Sequence, residues 1–405
     1  MKIAMMTNNY LPFIAGVPIS IERLSEGLRK EGHEVVIFAP DYKGQGTEEN
    51  VVRYGSFLKG IAGGATVPNS FDRRIEEEFA KGNFDVIHVQ HPMMIGWTAA
   101  YLSEKYHVPL VFTYHTRYEQ YLHYIKASFL KNVLPFYMRS FTKHCDMVFA
   151  PTPLMKDYLE EIGCPAAVEV LPTGLKEDSY QADREKAEQI RKELLGNSGK
   201  KYIFCTVARL AKEKNLDFLF RVLAGRKAHK NGSDFKFAVI GDGPERKELE
   251  KLARDLDLQE EICFVGKVPN EEVKNYCRAA DYFLFSSLSE TQGIVLLEAM
   301  ATGLPVIAVR ASGVSDIVVS GENGYMTALS ETEFERRLDM TLENSGLRSH
   351  LIQGAFRTAE KYRAQDIAGL AAAYYKAAIA SYKQSGKEEE RRYGNWNRRR
   401  TSDMI

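Results

Sequence analysis

The sequence predicts an α/β protein made of two doubly wound domains. Short apolar, β-prone segments alternate with amphipathic helical segments in both halves of the chain. Such alternation is typical of parallel sheets that carry helices on both faces. A chain of 405 residues also exceeds the usual size of one core, so two domains of about 150–200 residues each are expected.

The first half contains five predicted strands and five predicted helices. The strands are Ile3–Thr7, Val35–Ala39, Val86–Gln90, Leu110–Tyr114 and Met147–Pro151. The helices are Ile19–Lys30, Asp72–Lys81, Ile95–Lys105, Leu130–Lys143 and Leu154–Ile162. The glycine-rich segment Gly44–Thr66 has neither the periodicity of a helix nor that of a strand, and it predicts a loop or a short side strand.

A break at Pro172–Leu175 separates the two halves. A short apolar run ends there in proline and glycine, and a polar helix then leads into a new strand. We therefore expect one domain over residues 1–172 and a second over residues 173–364. Residues 365–385 predict a helix that packs back on the first domain, and the highly charged residues 386–405 predict disorder.

The second half repeats the alternation. Its predicted strands are Tyr202–Val207, Lys236–Ile240, Ile262–Val265, Tyr282–Phe285 and Pro305–Val309. Its predicted helices are Leu216–Ala228, Glu245–Leu256, Asn270–Ala279, Gly293–Ala301 and Glu331–Glu343. Two such domains are expected to face each other across a cleft at the carboxyl ends of their strands, where ligands bind in these folds.

Composition excludes several classes of function. Lysine plus arginine equals aspartate plus glutamate, 54 against 54, so net charge indicates no nucleic-acid partner. The five cysteines are scattered without a Cys-x-x-Cys pair, which favours reduced thiols in the cytoplasm. The apolar start Met1–Met6 is too short for a signal peptide, and no apolar run is long enough to cross a membrane.

The segment Glu290–Glu298 has the pattern of a phosphate-binding helix start. A polar turn with one carboxylate meets Gly293, and an apolar helix that carries a second carboxylate follows. The first N–H groups of such a helix, at Gly293, Ile294 and Val295, can bind phosphate. Glu298 is placed to accept hydrogen bonds from a ribose, and Glu290 to contact the other end of the ligand.

Two cations follow the first strand of the second domain. Arg209 and Lys214 lie five residues apart in a loop at the carboxyl end of that strand. Arginine binds a diphosphate through two parallel hydrogen bonds and lysine binds it as a point charge. Both can stabilise a diphosphate leaving group in place of a metal. A solvated basic loop is the alternative.

Four further positions are weaker candidates. Gly16 and His115 follow the first and fourth strands of the first domain, where a ligand can approach the backbone or an imidazole. Gly241 lies in the Gly-Asp-Gly-Pro corner of the second domain, and Val268 can line a pocket for a flat base. The Gly16 loop is not Gly-x-Gly-x-x-Gly, which disfavours a nicotinamide enzyme.

The ordered set of motifs resembles the retaining glycosyltransferases of family 4, which have the GT-B fold. The set is Arg-x4-Lys after a strand, Gly-Asp-Gly-Pro, Gly-Lys-Val-Pro, and Glu-x7-Glu followed by Ala-x-Gly-x-Pro-Val. The resemblance implies a nucleotide-diphosphate sugar with its diphosphate on Arg209 and Lys214 and its ribose on Glu298. It further implies donor-sugar contacts from Glu290 and His115 and phosphate contacts from Gly16 and Gly293. Gln292 stands where the family usually has phenylalanine.

Within that family, the segments around Gly16 and His115 resemble the diacylglycerol glucosyltransferases. Residues 117–144 carry five Lys/Arg against one acidic residue, interleaved with aromatic residues. This composition suits an anionic membrane surface, although a helix with its apolar side on the core is the alternative. The residues assigned to the membrane or acceptor are Arg117, Tyr121, Lys126, Lys131, Arg139 and Lys143.

The expected activity is retaining transfer of glucose from UDP-glucose to a lipid such as diacylglycerol at the cytoplasmic membrane face. His115, Glu290, Arg209 and Lys214 are the expected catalytic residues, with no cofactor and no metal. The Asp255-Leu256-Asp257 triplet resembles a metal-binding motif, but it ends a helix away from the strand ends and is therefore not placed to hold a metal. The alternatives are another donor, such as GDP-mannose, another acceptor, such as a phospholipid or glycan, and a sugar-nucleotide-binding or epimerising protein. No obligate protein partner is indicated.

Overall fold

The computed structural model describes residues 1–43, 46, 48–61, 65–117 and 133–385. The chain forms two compact units. Unit 1 comprises Met1–Gly174 and the chain from Ala364 onward, and unit 2 comprises Leu175–Arg363. The predicted tail, residues 386–405, lies outside the described residues.

Unit 1 is built on a parallel sheet of seven strands in the order β3-β2-β1-β6-β7-β8-β9. The strands are β1 (Lys2–Met6), β2 (Glu34–Pro40), β3 (Val51–Tyr54), β6 (Val86–Val89), β7 (Leu110–Thr113), β8 (Met147–Ala150) and β9 (Ala167–Val170). A separate antiparallel pair consists of β4 (Ser56–Ile61) and β5 (Ala65–Pro68). The segment predicted as a loop or a short side strand therefore contains β3, β4 and the start of β5; β3 pairs with β2 at the sheet edge, and β4 pairs with β5.

Six helices of unit 1 belong to the described residues. They are α1 (Gly16–Lys30), α2 (Arg73–Gly82), α3 (Ile95–Tyr106), α4 (Leu134–Thr142), α5 (Pro153–Glu161) and α13 (Ala364–Gln384). Helix α1 begins three residues before the predicted start at Ile19, because Pro18 lies in its first turn, where proline costs no hydrogen bond. Helix α13 packs along α1, and a Cβ added to Gly27 would lie 2.7 Å from the Cβ of Ala368.

Unit 2 is built on a parallel sheet of six strands in the order β12-β11-β10-β13-β14-β15. The strands are β10 (Tyr202–Val207), β11 (Phe235–Ile240), β12 (Ile262–Gly266), β13 (Tyr282–Phe285), β14 (Val306–Val309) and β15 (Gly324–Thr327). The helices are α6 (Arg184–Leu195), α7 (Leu216–His229), α8 (Arg246–Asp255), α9 (Val273–Ala279), α10 (Ile294–Ala301), α11 (Glu331–Glu343) and α12 (Ser345–Glu360). Three short 3-10 turns occupy Glu177–Tyr180, Lys212–Lys214 and Asn270–Glu272.

Each sheet separates two apolar layers, as the strand pattern requires. On β13, Phe283 and Phe285 pack into one cluster, whereas Tyr282 and Leu284 pack into the cluster on the opposite face. Because successive strand residues point to opposite faces, continuously apolar strands need helices on both sides. The prediction of doubly wound α/β units is therefore confirmed. No helix in the described part of the chain has the length and hydrophobicity to cross a bilayer.

Candidate active site

The strand order reverses once in each sheet, and several candidate residues of unit 2 lie beside its reversal. In unit 2 the reversal lies between the neighbouring strands β10 and β13. The loop after β10 carries Arg209 and Lys214, and the loop after β13 carries Glu290. Open α/β sheets bind ligands at the carboxyl ends of the strands at such a point.

A direct ion pair joins two of the predicted residues in unit 2. The Nζ atom of Lys214 lies 2.6 Å from Oε1 of Glu290, and the two side chains are only 20% and 17% exposed. The turn that carries Lys214 is held by Ser286, whose Oγ lies 2.8 Å from the Lys214 carbonyl oxygen and 2.9 Å from that of Asn215. The loops after β10 and β13 thereby bring a cation and a carboxylate together.

Gly293 shapes the turn between Glu290 and helix α10. Its φ is +68°, a left-handed conformation that favours glycine. Close backbone packing fixes the same turn from the other side, since a Cβ added to Gly313 would lie 2.7 Å from the Glu290 carbonyl oxygen. Gly293 has no side chain with which to cap the helix, and no acidic residue lies in the first turn. The amide groups of Ile294 and Val295 are therefore suited to an anionic ligand.

Glu298 lies on the same helix, further from the turn. It is half-buried in α10 and follows Gly293 by five residues. At the rise of an α-helix, this separation is about 7.5 Å along the axis. Glu290 and Glu298 therefore occupy different places relative to the helix start, as their predicted separate roles require.

Arg209 lies in an exposed part of the loop after β10. The neighbouring corner at Gly241–Pro244 supports this loop, since the Asp242 carbonyl accepts a hydrogen bond from the Leu210 amide at 3.1 Å. A Cβ added to Gly241 would lie 1.9 Å from the carbonyl oxygen of Ala208. Gly241 thus permits close backbone packing beside Arg209.

Val268 borders a separate cavity in unit 2. The cavity has a volume of about 300 Å³, and Val268 and Pro269 line it together with Glu272, Tyr276 and residues of α6. Tyr276 provides an aromatic wall of the kind that a flat base can contact. The structure thus places Val268 at a pocket, and the base-binding role stays a prediction.

Gly16 is the first residue of α1 in unit 1, beyond the carboxyl end of β1. A Cβ added to it would meet no heavy atom of the described residues within 4 Å. The position is therefore open, and its φ is not left-handed. Backbone conformation does not require glycine here, and the phosphate contact of Gly16 stays a prediction.

His115 lies beyond β7 among other polar side chains of unit 1. Its Nε2 lies 2.7 Å from Oε1 of Gln90, which follows the neighbouring strand β6. Burial, followed by the nearby His91 and His88, lowers the pKa of His115 to about 3, so its imidazole is neutral near pH 7. Nδ1 of His91 accepts a hydrogen bond from the Asn8 amide at 3.2 Å.

His88 differs from these two histidines because it belongs to the core. Its Nδ1 lies 2.7 Å from the hydroxyl of Tyr375 on α13, and its Nε2 lies 2.7 Å from that of Thr113. Burial lowers the pKa of His88 to about 3. This histidine therefore joins the central sheet to the returning helix.

The basic and aromatic segment of unit 1 is described only in part. Tyr121, Lys126 and Lys131 lie outside the described residues. Arg117 lies over the ring of Tyr158, with its guanidinium carbon 4.6 Å from the ring centroid. This contact places Arg117 against α5.

Helix α4 has one apolar buried side and one exposed side. Phe136 is 73% exposed, and Arg139 and Lys143 are exposed beside it at a spacing of three and seven residues. This spacing places the three side chains on one helical face. The opposite side buries Met138 and Phe141. One side of α4 therefore packs on the core and the other presents a basic aromatic surface, and the membrane contact stays a prediction.

A resident metal has no recognisable ligand set in the described ranges. No group of three or more His, Cys, Asp or Glu side chains there is arranged to hold an ion. In the Asp255-Leu256-Asp257 triplet, the first residue ends α8, and Oδ2 of Asp257 lies 3.1 Å from Nζ of Lys227. The triplet is thus engaged in a surface ion pair.

Two supporting residues were not predicted from the sequence. Ser286 fixes the turn that carries Lys214, and Gln90 contacts His115. Both follow a strand at its carboxyl end, the same signal that identified the other candidates. Their tertiary partners lie 72 and 25 residues away, so local pattern did not indicate a role.

Comparisons with known proteins identify the family. Residues 14–179 match the model of Glycosyltransferase Family 4, and residues 186–358 match Glycosyl transferases group 1. The chain is 32% identical to an alpha-monoglucosyldiacylglycerol synthase of Streptococcus pneumoniae over 323 residues, covering 76% of this chain and 71% of the relative. It is 31% identical to the protein of that name from Acholeplasma laidlawii over 339 residues, covering 80% of this chain and 84% of the relative.

A solved structure agrees at the level of fold. The crystal structure of Anabaena HepE in complex with UDP matches with a TM-score of 0.75 at 18% identity, covering 93% of this chain and all of that one. The matched family models and the two relatives together span both units. The chain therefore belongs to the family 4 glycosyltransferases.

Proposed function

We propose that this glycosyltransferase transfers glucose from UDP-glucose to a hydroxyl of diacylglycerol at the cytoplasmic membrane face, with retention of the anomeric configuration. The observation that carries this proposal is the likeness, at 31–32% identity over most of the chain, to two alpha-monoglucosyldiacylglycerol synthases. The exposed basic and aromatic face of α4 supports a lipid acceptor.

The donor is assigned to the loops at the reversal of the unit 2 sheet. Arg209 and Lys214 bind the diphosphate, and the amides at the start of α10 bind phosphate oxygens. Glu298 accepts hydrogen bonds from the ribose, and Glu290 from the glucosyl hydroxyls. His115 contacts the donor sugar and Gly16 contacts a phosphate, as the family resemblance implies.

The chemical step exchanges one bond at the anomeric carbon for another. The bond from this carbon to the β-phosphate oxygen breaks while a bond to the acceptor oxygen forms on the same face of the sugar. The acceptor proton passes to the departing phosphate, so UDP leaves and no side chain must act as general base. Arg209 and Lys214 stabilise the charge that develops on the diphosphate.

We propose that the reaction needs no divalent cation. The two side-chain cations and the helix amides supply the positive charge that a metal provides elsewhere. Turnover is therefore expected to be unchanged after exhaustive chelation with EDTA. Loss of turnover on chelation and its recovery with Mg²⁺ would contradict this part of the proposal.

The membrane contact is assigned to α4. Its exposed side combines an apolar ring with two cations, which suits the boundary between headgroups and acyl chains of an anionic bilayer. A protein bound in this way stays peripheral and reaches an acceptor whose hydroxyl lies at the membrane surface.

The decisive experiment is an assay with UDP-glucose and diacylglycerol in phosphatidylglycerol-containing vesicles. We expect a glucosyl lipid whose anomeric proton has the small coupling constant of an α-linkage. Thermal shift with a panel of nucleotide sugars tests the donor, since a ligand raises the melting temperature of the state it binds. A shift with GDP-mannose alone would identify GDP-mannose, and not UDP-glucose, as the donor. Turnover of UDP-glucose without an acceptor would favour hydrolysis or isomerisation.

A further inference from the structure

Gln90 is a buried amide directly behind His115. It is 2% exposed, and its Oε1 lies 2.7 Å from Nε2 of His115. Its own Nε2 is buried and has no hydrogen-bond partner among the described residues. Leaving a buried amide donor unpaired destabilises the folded state. An apolar side chain of similar size would avoid that cost, so the Gln90 amide calls for a partner that the described protein atoms do not supply.

A small polar cavity lies beside this amide. Its volume is about 10 Å³, and Gln90 lines it together with Ser20, Arg23, Thr113 and Thr173. The Ser20 and Thr173 hydroxyl oxygens are 2.8 Å apart. A volume of this size holds about one water molecule, and a buried water needs two to four polar partners. The cavity offers that number of partners, including the Gln90 amide.

The contact between Gln90 and His115 decides where the imidazole carries its proton. A neutral imidazole has one N–H, and the hydrogen bond at one ring nitrogen determines the state of the other. If Oε1 of Gln90 accepts from Nε2 of His115, Nδ1 of His115 is an acceptor. If the amide were turned over, Nε2 of His115 would accept and Nδ1 would donate.

The structure has the first arrangement, because the Gln90 atom that lies against Nε2 of His115 is Oε1. With Oε1 on His115, the amide nitrogen of Gln90 donates to a water that can in turn donate to the hydroxyls of the cavity. His91 gives an independent example in the same group of side chains, since the Asn8 amide donates to its Nδ1 and so places its proton on Nε2. Both histidines then carry the same tautomer.

We propose that Gln90 is a positioning residue that holds His115 as the Nε2–H tautomer, with Nδ1 as an acceptor, while its own amide nitrogen binds one ordered water in the cavity. This inference rests on the proposed function, in which His115 contacts the donor sugar. Nδ1 of His115 would then accept a hydrogen bond from a sugar hydroxyl. Gln90 itself does not touch the donor.

The tautomer is measured without substrate. Long-range 1H–15N NMR on protein with 15N-labelled histidine distinguishes the two neutral tautomers near neutral pH, and His115→Asn identifies the signals of His115. We expect the Nε2–H pattern in the wild type and a mixed or reversed pattern in Gln90→Leu. An Nδ1–H pattern in the wild type, or an unchanged pattern in Gln90→Leu, would overturn the inference.

The kinetic test uses a conservative variant as a matched control. Gln90→Leu should lower kcat with UDP-glucose by about tenfold at every pH, since it removes a hydrogen bond to the imidazole. Gln90→Glu keeps an acceptor at the same place, so its kcat near pH 8.5 should stay within about threefold of wild type. Its carboxylate should raise the pKa of His115, so this kcat should fall towards pH 6 with an ionisation absent from the wild type.

The two proposals fail in different ways. A wild type that does not turn over UDP-glucose contradicts the proposed function, and the NMR measurement still decides the role of Gln90. If a folded Gln90→Leu variant turns over UDP-glucose at the wild-type rate, the positioning role is overturned, even if the tautomer of His115 is as expected. A purely structural Gln90 would change the melting temperature and leave the pH profile of Gln90→Glu unaltered.

Discussion

Lys214 donates a hydrogen bond to Glu290 over 2.6 Å, although 76 residues separate them in the sequence. The cation proposed for the diphosphate is thus paired with the carboxylate proposed for the donor sugar. A bound diphosphate must compete with Glu290 for this lysine, so the two side chains are coupled before any ligand arrives.

Glu290→Gln is expected to tighten UDP binding while it lowers glucosyl transfer. The change removes a negative charge beside the diphosphate and releases Lys214, which corresponds to about a 3- to 10-fold lower Kd for UDP. Isothermal titration with UDP and the transfer assay measure the two effects. Glu298→Gln is the comparison and should weaken UDP binding, because it removes a ribose acceptor. Weaker UDP binding in Glu290→Gln would contradict the proposed competition.

Arg209→Ala is expected to lower kcat/KM for the nucleotide sugar by about 100-fold or more, the usual effect of removing a charge-stabilising donor. The melting temperature should change little, because the side chain is exposed. Lys212→Ala is the matched control, since Lys212 is an exposed cation in the same loop. Normal turnover in Arg209→Ala would refute the assignment of the diphosphate to this loop.

Gly293→Ala is expected to impair donor binding as well as stability. A left-handed alanine costs about 1–2 kcal/mol, and its Cβ would lie 3.2 Å from Cδ1 of Leu296. Gly199→Ala is a matched control, because Gly199 has a φ of +69° and nothing within 4 Å of an added Cβ. Chemical denaturation should show a comparable loss in the free energy of unfolding in both variants. UDP should raise the melting temperature only of the wild type and Gly199→Ala. An equal UDP response in all three proteins would exclude Gly293 from the donor site.

Charge reversal on α4 is expected to weaken binding to anionic vesicles. Arg139→Glu combined with Lys143→Glu should lower the vesicle partition coefficient by about 10- to 100-fold, at roughly 1 kcal/mol per basic residue. Lys247→Glu with Lys251→Glu makes the same change in net charge on exposed residues of α8. Sedimentation with phosphatidylglycerol vesicles measures both double variants. Equal losses would indicate a general charge effect and remove the assignment to α4.

Unit 1 is expected to lose stability on mild acidification because His88 is buried and neutral. Its pKa is lowered to about 3 in the folded state and is 6.5 in the unfolded reference. Between these values only the unfolded state takes up the proton, so the free energy of unfolding falls as pH falls, by about 2 kcal/mol from pH 6.5 to 5. Urea unfolding of the wild type and His88→Asn at several pH values tests this. An equally steep pH dependence in the variant would assign the effect to other groups.

The sequence predicted much of the fold because buried parallel strands and their helices have strong local patterns. Strand β10 and helix α11 have the predicted bounds, and α10 begins one residue after the predicted start. Strand β15 was missed because its four residues begin with glycine and form a strand only through pairing with β14. An edge strand of this kind has no recognisable pattern of apolar residues in the sequence.

The candidate site was predictable in part for the same reason. Arg209, Lys214 and Glu290 follow strong strands, and the carboxyl end of a strand is a local signal. The ion pair between Lys214 and Glu290 was not predicted, since it depends on which strands are neighbours. Gln90 was assigned to the end of a strand, and its contact with His115 depends on the pairing of β6 with β7.

Helix α13 also has a consequence for the order of events during synthesis. Its residues Ala368, Ala371 and Tyr375 are buried against unit 1, yet all of unit 2 precedes them in the chain. While a ribosome makes unit 2, the apolar surface on α1 and Nδ1 of His88 lack the helix that they contact in the folded protein. The nascent first unit thus exposes apolar surface until residues near 384 emerge, and chains that stop before Ala364 should be the ones that chaperones and proteases capture.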